Sequence, residues 1–177
     1  MLPSFSNLKA LKFGRISSSY TKRRFHPVQK RWKAHLGTDY AAPKGTPILA
    51  VGDGVVKEAR YKKFNGNYVK IKHNSTYTTQ YLHMSGFAKG VKAGKFVRQG
   101  QVIGYVGSTG LATGPHVCFR FWKNGSQVNH RAEKLPPSLP VDKKLLPEFN
   151  TMKSKLKLKL DSIPFEKNEK QISLALK

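Results

Sequence analysis

The chain has 177 residues, which is enough for one domain and a small appendage, and 38% of them are hydrophobic and 11% aromatic. This composition excludes full disorder, and the single cysteine excludes an intrachain disulfide framework and an all-cysteine zinc site. Lys and Arg total 33 against 9 Asp and Glu, so the formal net charge is +24. Such a charge favours a polyanionic partner without choosing among nucleic acid, an anionic membrane surface and a cell-wall polymer.

We expect residues 1–11 to form an N-terminal extension. They lack the sustained apolar core and the small-residue cleavage site of a normal signal peptide. One strand is expected around GRISSSY, at residues 14–20. The RRFHPVQKRWK segment that follows is not expected to be helical, because Pro27 pushes the preceding His26 away from the α region.

From about residue 35, short β-rich runs alternate with turn residues. The runs are TPILAV, GVVKEARY, NYVKIKH, TYTTQYLH, KFVRQG, QVIGYVG, HVCFRFW and SQVNH. The segments between them are rich in Gly, Pro, Asn and Asp, and include GDG, FNGN and KNGS. Short strands at this spacing with such turn signals predict an all-β antiparallel sandwich or barrel.

Residues 133–177 form a Pro- and Lys-rich C-terminal tail. Its first part, KLPPSLPVDKKLLP, predicts a linker or a wrapping arm. Two alternatives stay open for MKSKLKLKLDSIP. It can alternate as an edge strand, with Leu156, Leu158 and Leu160 on one side, or it can remain a solvated cationic tail.

Three groupings among the six histidines, one cysteine and nine acids are candidates for chemistry. The first is His35 with Asp39, four residues apart with Gly37 between them, which favours a loop or the start of a strand. Imidazole nitrogen and carboxylate oxygen are both ordinary zinc ligands. Taken alone, however, the pair is a weak signal, and a surface histidine with a solvated carboxylate explains it more readily than a metal site.

The second grouping is His116 with Cys118. Residues two apart in a strand point to the same side, so these two side chains are expected to project together. Both can bind zinc, the cysteine as its thiolate. The alternative for Cys118 is a small buried apolar residue in a strand.

The other candidates are single residues. His83 lies at the end of a predicted strand, where a lone histidine is more often structural than catalytic. His26 and His73 have no partners by spacing and are assigned to structure or to the rim of a site. Asp53, within a GDG turn, is most simply a turn residue.

The order and setting of these groupings resemble a known family. HLGTDYAAPKGTPILAVGDGVVKEA, GNYVKIKH, TTQYLHMS and VRQGQVIGYVGSTGLATGPHVCFRFWKNG are together similar to the lysostaphin/LytM-type zinc endopeptidases over roughly residues 12–131. The resemblance implies a domain at residues 12–132 with a compact antiparallel β-sheet, a barrel-sandwich hybrid of the duplicated hybrid motif type. It also implies one zinc ion in a groove over the sheet and hydrolysis of a peptide bond in peptidoglycan stems or cross-links.

By position, the resemblance makes His35 and Asp39 the first two zinc ligands and His116 the general base. It places His83 near the metal without binding it. The family's third ligand is the second histidine of an H-x-H motif, and this chain has Cys118 there. One interpretation is a His/Asp/Cys zinc site that is a poorer Lewis acid. The other is a metal-poor domain that acts as a peptidoglycan-binding or activator module.

The mechanism implied by the resemblance uses a zinc-bound water of lowered pKa as the nucleophile. His116 accepts its proton, His83 and the metal stabilise the developing oxyanion, and one histidine returns a proton to the leaving amine. Cys118 beside His116 also has the residue types of a cysteine hydrolase. Two residues on one strand are an unusual geometry for such a pair, so a Cys118 nucleophile is not expected.

Peptidoglycan is the expected partner, in the bacterial envelope that the family implies. Residues 1–132 contain 23 basic and 3 acidic residues, which would hold the domain near anionic envelope polymers. Because no export signal is visible, the chain is expected to be a fragment of a longer product. A nucleic-acid binder is the rival class, since Tyr61, Phe64, Tyr68 and Tyr77 interleave with lysines as a base-stacking platform would, but no nucleic-acid motif is present.

Overall fold

A computed structural model describes residues 10–11, 14–26, 30–133 and 142–162, with the side chain of His26 outside the described part. The chain divides into two compact units, Met1–Ser138 and Leu139–Lys177. In the described residues, the first unit contains strands and the second contains one helix. The role predicted for the His26 side chain and most of the predicted N-terminal extension therefore fall outside the described residues.

The first unit has twelve strands within its described residues, and every pairing between them is antiparallel. The strands are β1 Arg15–Ser18, β2 Thr21–His26, β3 Arg31–His35, β4 Thr38–Ala41, β5 Pro47–Leu49, β6 Gly54–Lys62, β7 Gly66–Lys72, β8 Tyr77–Phe87, β9 Phe96–Val97, β10 Val102–Val106, β11 His116–Lys123 and β12 Ser126–Val128. The prediction of an all-β antiparallel domain is confirmed.

Ten strands form one sheet, and β2 and β3 form a separate two-stranded sheet. The large sheet has the order β1-β4-β11-β8-β7-β6-β9, while β12 pairs with β11, and β10 pairs with both β5 and β8. Each predicted run contains one of these strands. The β2–β3 hairpin was not predicted as strands, because its sequence is charged and has little β-branched content to mark an extended segment.

The main core lies on one face of the central strands. Val69 and Ile71 of β7 point into it together with Phe119 and Phe121 of β11. Tyr81 is fully buried there, and its hydroxyl accepts a hydrogen bond from the Val51 backbone N–H at 3.0 Å. Ala10 and Leu11, which the sequence places in the extension, are also buried in this core.

A second, smaller apolar cluster lies on the opposite face of the same strands. It consists of Tyr68, Leu82 and Cys118, from three neighbouring strands of the sheet. The middle of β7, β8 and β11 is therefore buried on both faces. This double burial fixes the strands that carry the candidate site.

The second unit contains helix α1, Leu146–Asp161. The edge-strand alternative for MKSKLKLKLDSIP is wrong, because its residues up to Asp161 are helical. Pro147 suits a first helical turn, Glu148 and Lys159 match the helix dipole, and Leu and Lys are strong helix formers. None of the helix residues is buried, and among the described residues no helix has the length and hydropathy needed to cross a membrane.

The four aromatic residues considered as a base-stacking platform do not share one surface. Tyr68 and Tyr77 are buried at 1% and 8% exposure, whereas Tyr61 and Phe64 are each 60% exposed. Their alternation with lysine reflects strand packing. The platform hypothesis is therefore wrong for this set of residues.

Candidate metal centre

The pairing of β4 with β11 builds the centre of the site. Asp39 lies directly opposite Cys118 in this antiparallel pair, and Ala41 lies opposite His116. Because His116 and Cys118 are two residues apart on one strand, their side chains share a face. The sheet register therefore gathers residues that are almost eighty positions apart in the chain.

His35, at the end of β3, completes a group of three buried side chains with Asp39 and Cys118. Its Nε2 lies 3.0 Å from Asp39 Oδ1 and 3.6 Å from Cys118 Sγ. One ligand atom from each residue can be chosen so that all three lie within 4.8 Å of one another. The three residues that the resemblance makes metal ligands are thus brought together in the structure.

Gly37 allows this approach. A Cβ atom added there would lie 2.9 Å from Cys118 Sγ and 3.0 Å from the carbonyl oxygen of Phe119. Both distances are shorter than ordinary carbon contacts, so the short link between β3 and β4 passes directly against β11. The sequence marked Gly37 only as a residue that disfavours a helix, and its packing role is visible only once β11 is placed.

The hydrogen bonds of His35 leave a place for a cation. Its Nδ1 lies 3.0 Å from the carbonyl oxygen of Ser19, which can only accept, so Nδ1 carries a proton. In a neutral ring, Nε2 then presents a lone pair toward the Asp39 carboxylate. Two acceptors at this distance require either a second proton on His35 or a metal cation between them.

The other two members of the cluster have shifted pKa values, each with causes inside the site. Burial raises the pKa of Asp39, but hydrogen bonding and charge from His35, with help from Cys118 and His116, outweigh burial and leave the pKa lowered. Burial, followed by the Asp39 charge, raises the pKa of Cys118 to about 12. A buried neutral thiol is a poor nucleophile, which agrees with the expectation that Cys118 is not one.

His116 stands beside this triad. Its Nδ1 donates to the carbonyl oxygen of Gly114 at 2.8 Å, so a neutral ring has its lone pair on Nε2. That Nε2 lies 3.9 Å from Asp39 Oδ1. The ring also contacts His83, with 4.8 Å between the two centroids.

His83 is held in an unusual backbone conformation. Its φ is +64°, its backbone N–H donates to the Asn65 carbonyl at 3.0 Å, and Nδ1 donates to the Thr109 carbonyl at 2.8 Å. Left-handed backbone in a non-glycine residue is uncommon and persists where surrounding contacts impose it. His83 is thus a positioned residue, in contrast to the common structural role of a lone strand-end histidine.

The protonation of His83 bears on its expected role. Burial chiefly, together with the neighbouring His116, lowers its pKa to about 4 against the opposing hydrogen bond to Thr109. With its proton on Nδ1, the neutral ring offers a lone pair at Nε2. This tautomer has no hydrogen at Nε2 to donate, whereas the oxyanion role that the resemblance implies needs a donor there.

The site opens into a groove of about 450 Å³. Asp39, His83 and His116 line it, and Arg120 lines it two residues beyond Cys118 on β11. Three further cationic residues of the groove lie on β1–β3: Arg15, Arg24 and Lys33. Most of the remaining lining is apolar or neutral and includes Phe64, Asn65, Leu111, Ala112 and Pro115.

Arg24 is a site residue that the sequence did not reveal. Its Nη2 lies 3.8 Å from Asp39 Oδ2, and its Nη1 donates to the Ser18 hydroxyl. Its position depends on the β2–β3 hairpin, whose Arg24, Lys33 and Ala34 line the groove. No spacing within the sequence links residue 24 to residue 39.

The remaining candidates have structural partners. His73 bonds through Nδ1 to the Asp53 carbonyl and through Nε2 to the Thr79 hydroxyl, each at 2.8 Å. Asp53 also accepts a hydrogen bond from the backbone N–H of Gln99 at 2.7 Å. The structure therefore assigns both residues to packing and turn formation and not to the groove.

Comparisons with known proteins give the site its context. The profile of Peptidase family M23 matches residues 33–130. Peptidoglycan DD-endopeptidase ShyC of Vibrio cholerae is 53% identical over 126 residues, which cover 71% of this chain and 29% of that protein. The chain thus spans about a third or less of the length of this relative and of ShyA, another from the same organism.

Solved structures agree with the observed architecture. A zinc-containing peptidase from Vibrio cholerae has a TM-score of 0.67 and 37% identity, covering 77% of this chain and 41% of that one. The catalytic domain of lysostaphin from Staphylococcus simulans has a TM-score of 0.57 and 28% identity, covering 66% of this chain and 88% of that one. The β-rich fold predicted from the resemblance is therefore confirmed.

Proposed function

This chain belongs to peptidase family M23, and we propose that it is a zinc-dependent endopeptidase that hydrolyses a peptide bond of peptidoglycan. The convergence of His35, Asp39 and Cys118 with His116 beside them carries this proposal. The relative named a DD-endopeptidase supports a DD bond as the bond that is cut. We place this activity in the predicted domain at residues 12–132.

The three clustered side chains fit one zinc ion. Nitrogen, oxygen and sulfur donors are all ordinary ligands of this metal. The lone pair of His35 Nε2 and the Asp39 carboxylate face each other across a gap that a cation would satisfy. Zinc bound there would supply a Lewis acid that lowers the pKa of water and polarises a carbonyl group.

The ligands are themselves oriented by their surroundings. The Ser19 carbonyl holds the Nδ1 proton of His35 and so directs Nε2 toward the other two ligands. Gly37 lets Cys118 approach from the opposite strand. A Cys118 thiolate adds negative charge compared with a histidine, so we expect a metal of weaker Lewis acidity than in a site with two histidines and one aspartate.

His116 is assigned as the general base. The Gly114 carbonyl holds its Nδ1 proton, which leaves Nε2 free to accept the proton of the attacking water. Its distance of 3.9 Å from Asp39 places this nitrogen beside the ligand cluster without making it a member. With water as the nucleophile, the reaction needs no covalent intermediate with the protein.

His83 is assigned to support His116 during the proton transfers of the reaction. Its ring contacts that of His116, and its pKa of about 4 keeps it neutral, so the proton taken from water stays on His116. That proton is then available for the leaving amine. Oxyanion stabilisation falls to other groups, because a neutral His83 with this tautomer has no hydrogen to donate from Nε2.

Peptidoglycan and the bacterial envelope are the proposed partner and place of action. The excess of basic residues in residues 1–132 supports retention near anionic envelope polymers by non-specific attraction. This attraction weakens as salt is added. It contributes to residence at the wall and not to the choice of bond.

The experiment is hydrolysis of purified peptidoglycan, measured as new amine termini. The protein should release termini, stop after chelation and recover when zinc is restored. His116→Gln should keep its zinc and lose most of the turnover. Binding to peptidoglycan that survives chelation, with no new termini at any zinc concentration, would instead support a binding or activator module.

A further inference from the structure

The groove carries an excess of positive charge beside the candidate catalytic residues. We propose that Arg15, Arg24 and Lys33 form a carboxylate-binding subsite, so that the enzyme prefers peptides with a free carboxylate next to the bond that is cut. This inference rests on the proposed function. It names the chemistry of the substrate, which neither the family match nor the relatives assign to any residue.

The charge inventory of the groove supports this subsite. Among the described residues that line it, four are cationic, and Asp39 is the single acid. Asp39 already contacts His35 and Arg24. If Asp39 serves as a metal ligand, part of its charge is balanced by the metal, which leaves the partly exposed guanidinium of Arg24 able to attract a second anion.

Two of the cations are neighbours across the hairpin. Arg24 on β2 lies opposite Lys33 on β3, and both side chains line the groove. Their positive charges add on this side of the groove, which favours an anionic group of the substrate there. The guanidinium of Arg24 can donate further charge-assisted hydrogen bonds to a carboxylate.

The position of Arg24 sets where the carboxylate would lie. Its Nη2 is 3.8 Å from Asp39 Oδ2, so the guanidinium is within reach of the ligand cluster. The segment 111–115 and Phe64 contribute no charged side chain to the groove. A peptide in the groove is therefore expected to orient its acidic group toward the strands β1–β3.

The test compares two synthetic cross-linked peptides that share one scissile bond. In one peptide the carboxylates on both sides of that bond are free, and in the other they are carboxamides. The triple variant Arg15→Gln, Arg24→Gln, Lys33→Gln removes the subsite. The control variant Lys57→Gln, Lys92→Gln, Lys95→Gln removes the same charge from exposed positions outside the groove.

The parent should favour the carboxylate peptide about tenfold in kcat/KM, chiefly through KM, with a smaller preference at high salt. The ratio should fall to about one in the subsite variant and stay parental in the control. The Kd of an uncleavable carboxylate analogue should rise about tenfold in the subsite variant only.

Two results would overturn the inference. In the first, the parent cleaves both peptides equally. In the second, the control variant loses the preference as fully as the subsite variant, which would show bulk charge in place of a subsite. Cleavage of neither peptide by zinc-loaded parent would contradict the proposed function itself, and the Kd comparison would still decide the carboxylate subsite.

Discussion

Replacing Gly37 by alanine tests how closely the link between β3 and β4 must approach β11. The new Cβ would lie 2.9 Å from Cys118 Sγ, 3.0 Å from the Phe119 carbonyl oxygen and 3.1 Å from Arg120 Cγ. The arginine side chain can move aside. The carbonyl is part of a central strand, so the link or the thiol must shift.

Forced adjustments of this size in a packed region cost about 1–3 kcal/mol of unfolding free energy. For a domain of this size, we expect the midpoint of thermal unfolding to fall by roughly 4–10 °C. Because Cys118 Sγ is one of the nearest atoms, the variant should also bind zinc more weakly. Both effects have the same cause, a displacement between His35 and Cys118.

The assay combines thermal unfolding with zinc content after equilibration at a fixed free zinc concentration. Gly86→Ala is the matched control, because a Cβ there has no heavy atom within 4 Å, and its unfolding free energy should change by less than about 0.5 kcal/mol. If Gly37→Ala matched both the parent and the control in stability and zinc content, the close approach described here would be refuted.

Three further variants test other parts of the account. His116→Gln should lower kcat by about 10²–10⁴-fold with zinc content unchanged, and unaltered turnover would remove His116 as the base. His130 is buried with Nε2 2.9 Å from the Tyr40 hydroxyl, and burial foremost lowers its pKa to about 4. The unfolded chain then binds the extra proton first, so this contribution to stability is present above about pH 6.5 and is lost as the pH falls toward 4. Between pH 6.5 and pH 4, the free energy of unfolding of His130→Gln should fall by about 3 kcal/mol less than that of the parent, as measured by unfolding at each pH. An identical fall in both proteins would contradict the lowered pKa of His130. Tyr81→Phe leaves the buried Val51 N–H without its acceptor and should cost about 1–3 kcal/mol by denaturant unfolding; a change near zero would show that another acceptor replaces the hydroxyl.

Local sequence signals predicted most of the sheet, for a physical reason. Strands such as NYVKIKH alternate and end at Gly and Asn turns, and these features act over a few residues. The ligand set followed from the resemblance, and the sheet register then placed Asp39 opposite Cys118 as that set requires. What local signals could not supply was the distance between strands that are far apart in the chain.

The features that were missed depend on long-range packing or on an ambiguous pattern. Arg24 approaches Asp39 because the β2–β3 hairpin lies at the groove, and Gly37 matters because β11 passes beside it. In the tail, Leu156, Leu158 and Leu160 alternate as in a strand, yet Leu and Lys also favour a helix, and α1 formed. The tautomer of His83 depends on the Thr109 carbonyl, which no motif specifies.

Zinc content per chain, measured for the parent beside Cys118→Ala, tests the central claim most directly. Protein purified without added metal and then equilibrated with zinc should hold about one ion per chain in the parent. The variant should hold much less, because it keeps His35 and Asp39 but lacks the third ligand. No zinc in the parent after reconstitution, or equal zinc in both proteins, would contradict a centre formed by His35, Asp39 and Cys118.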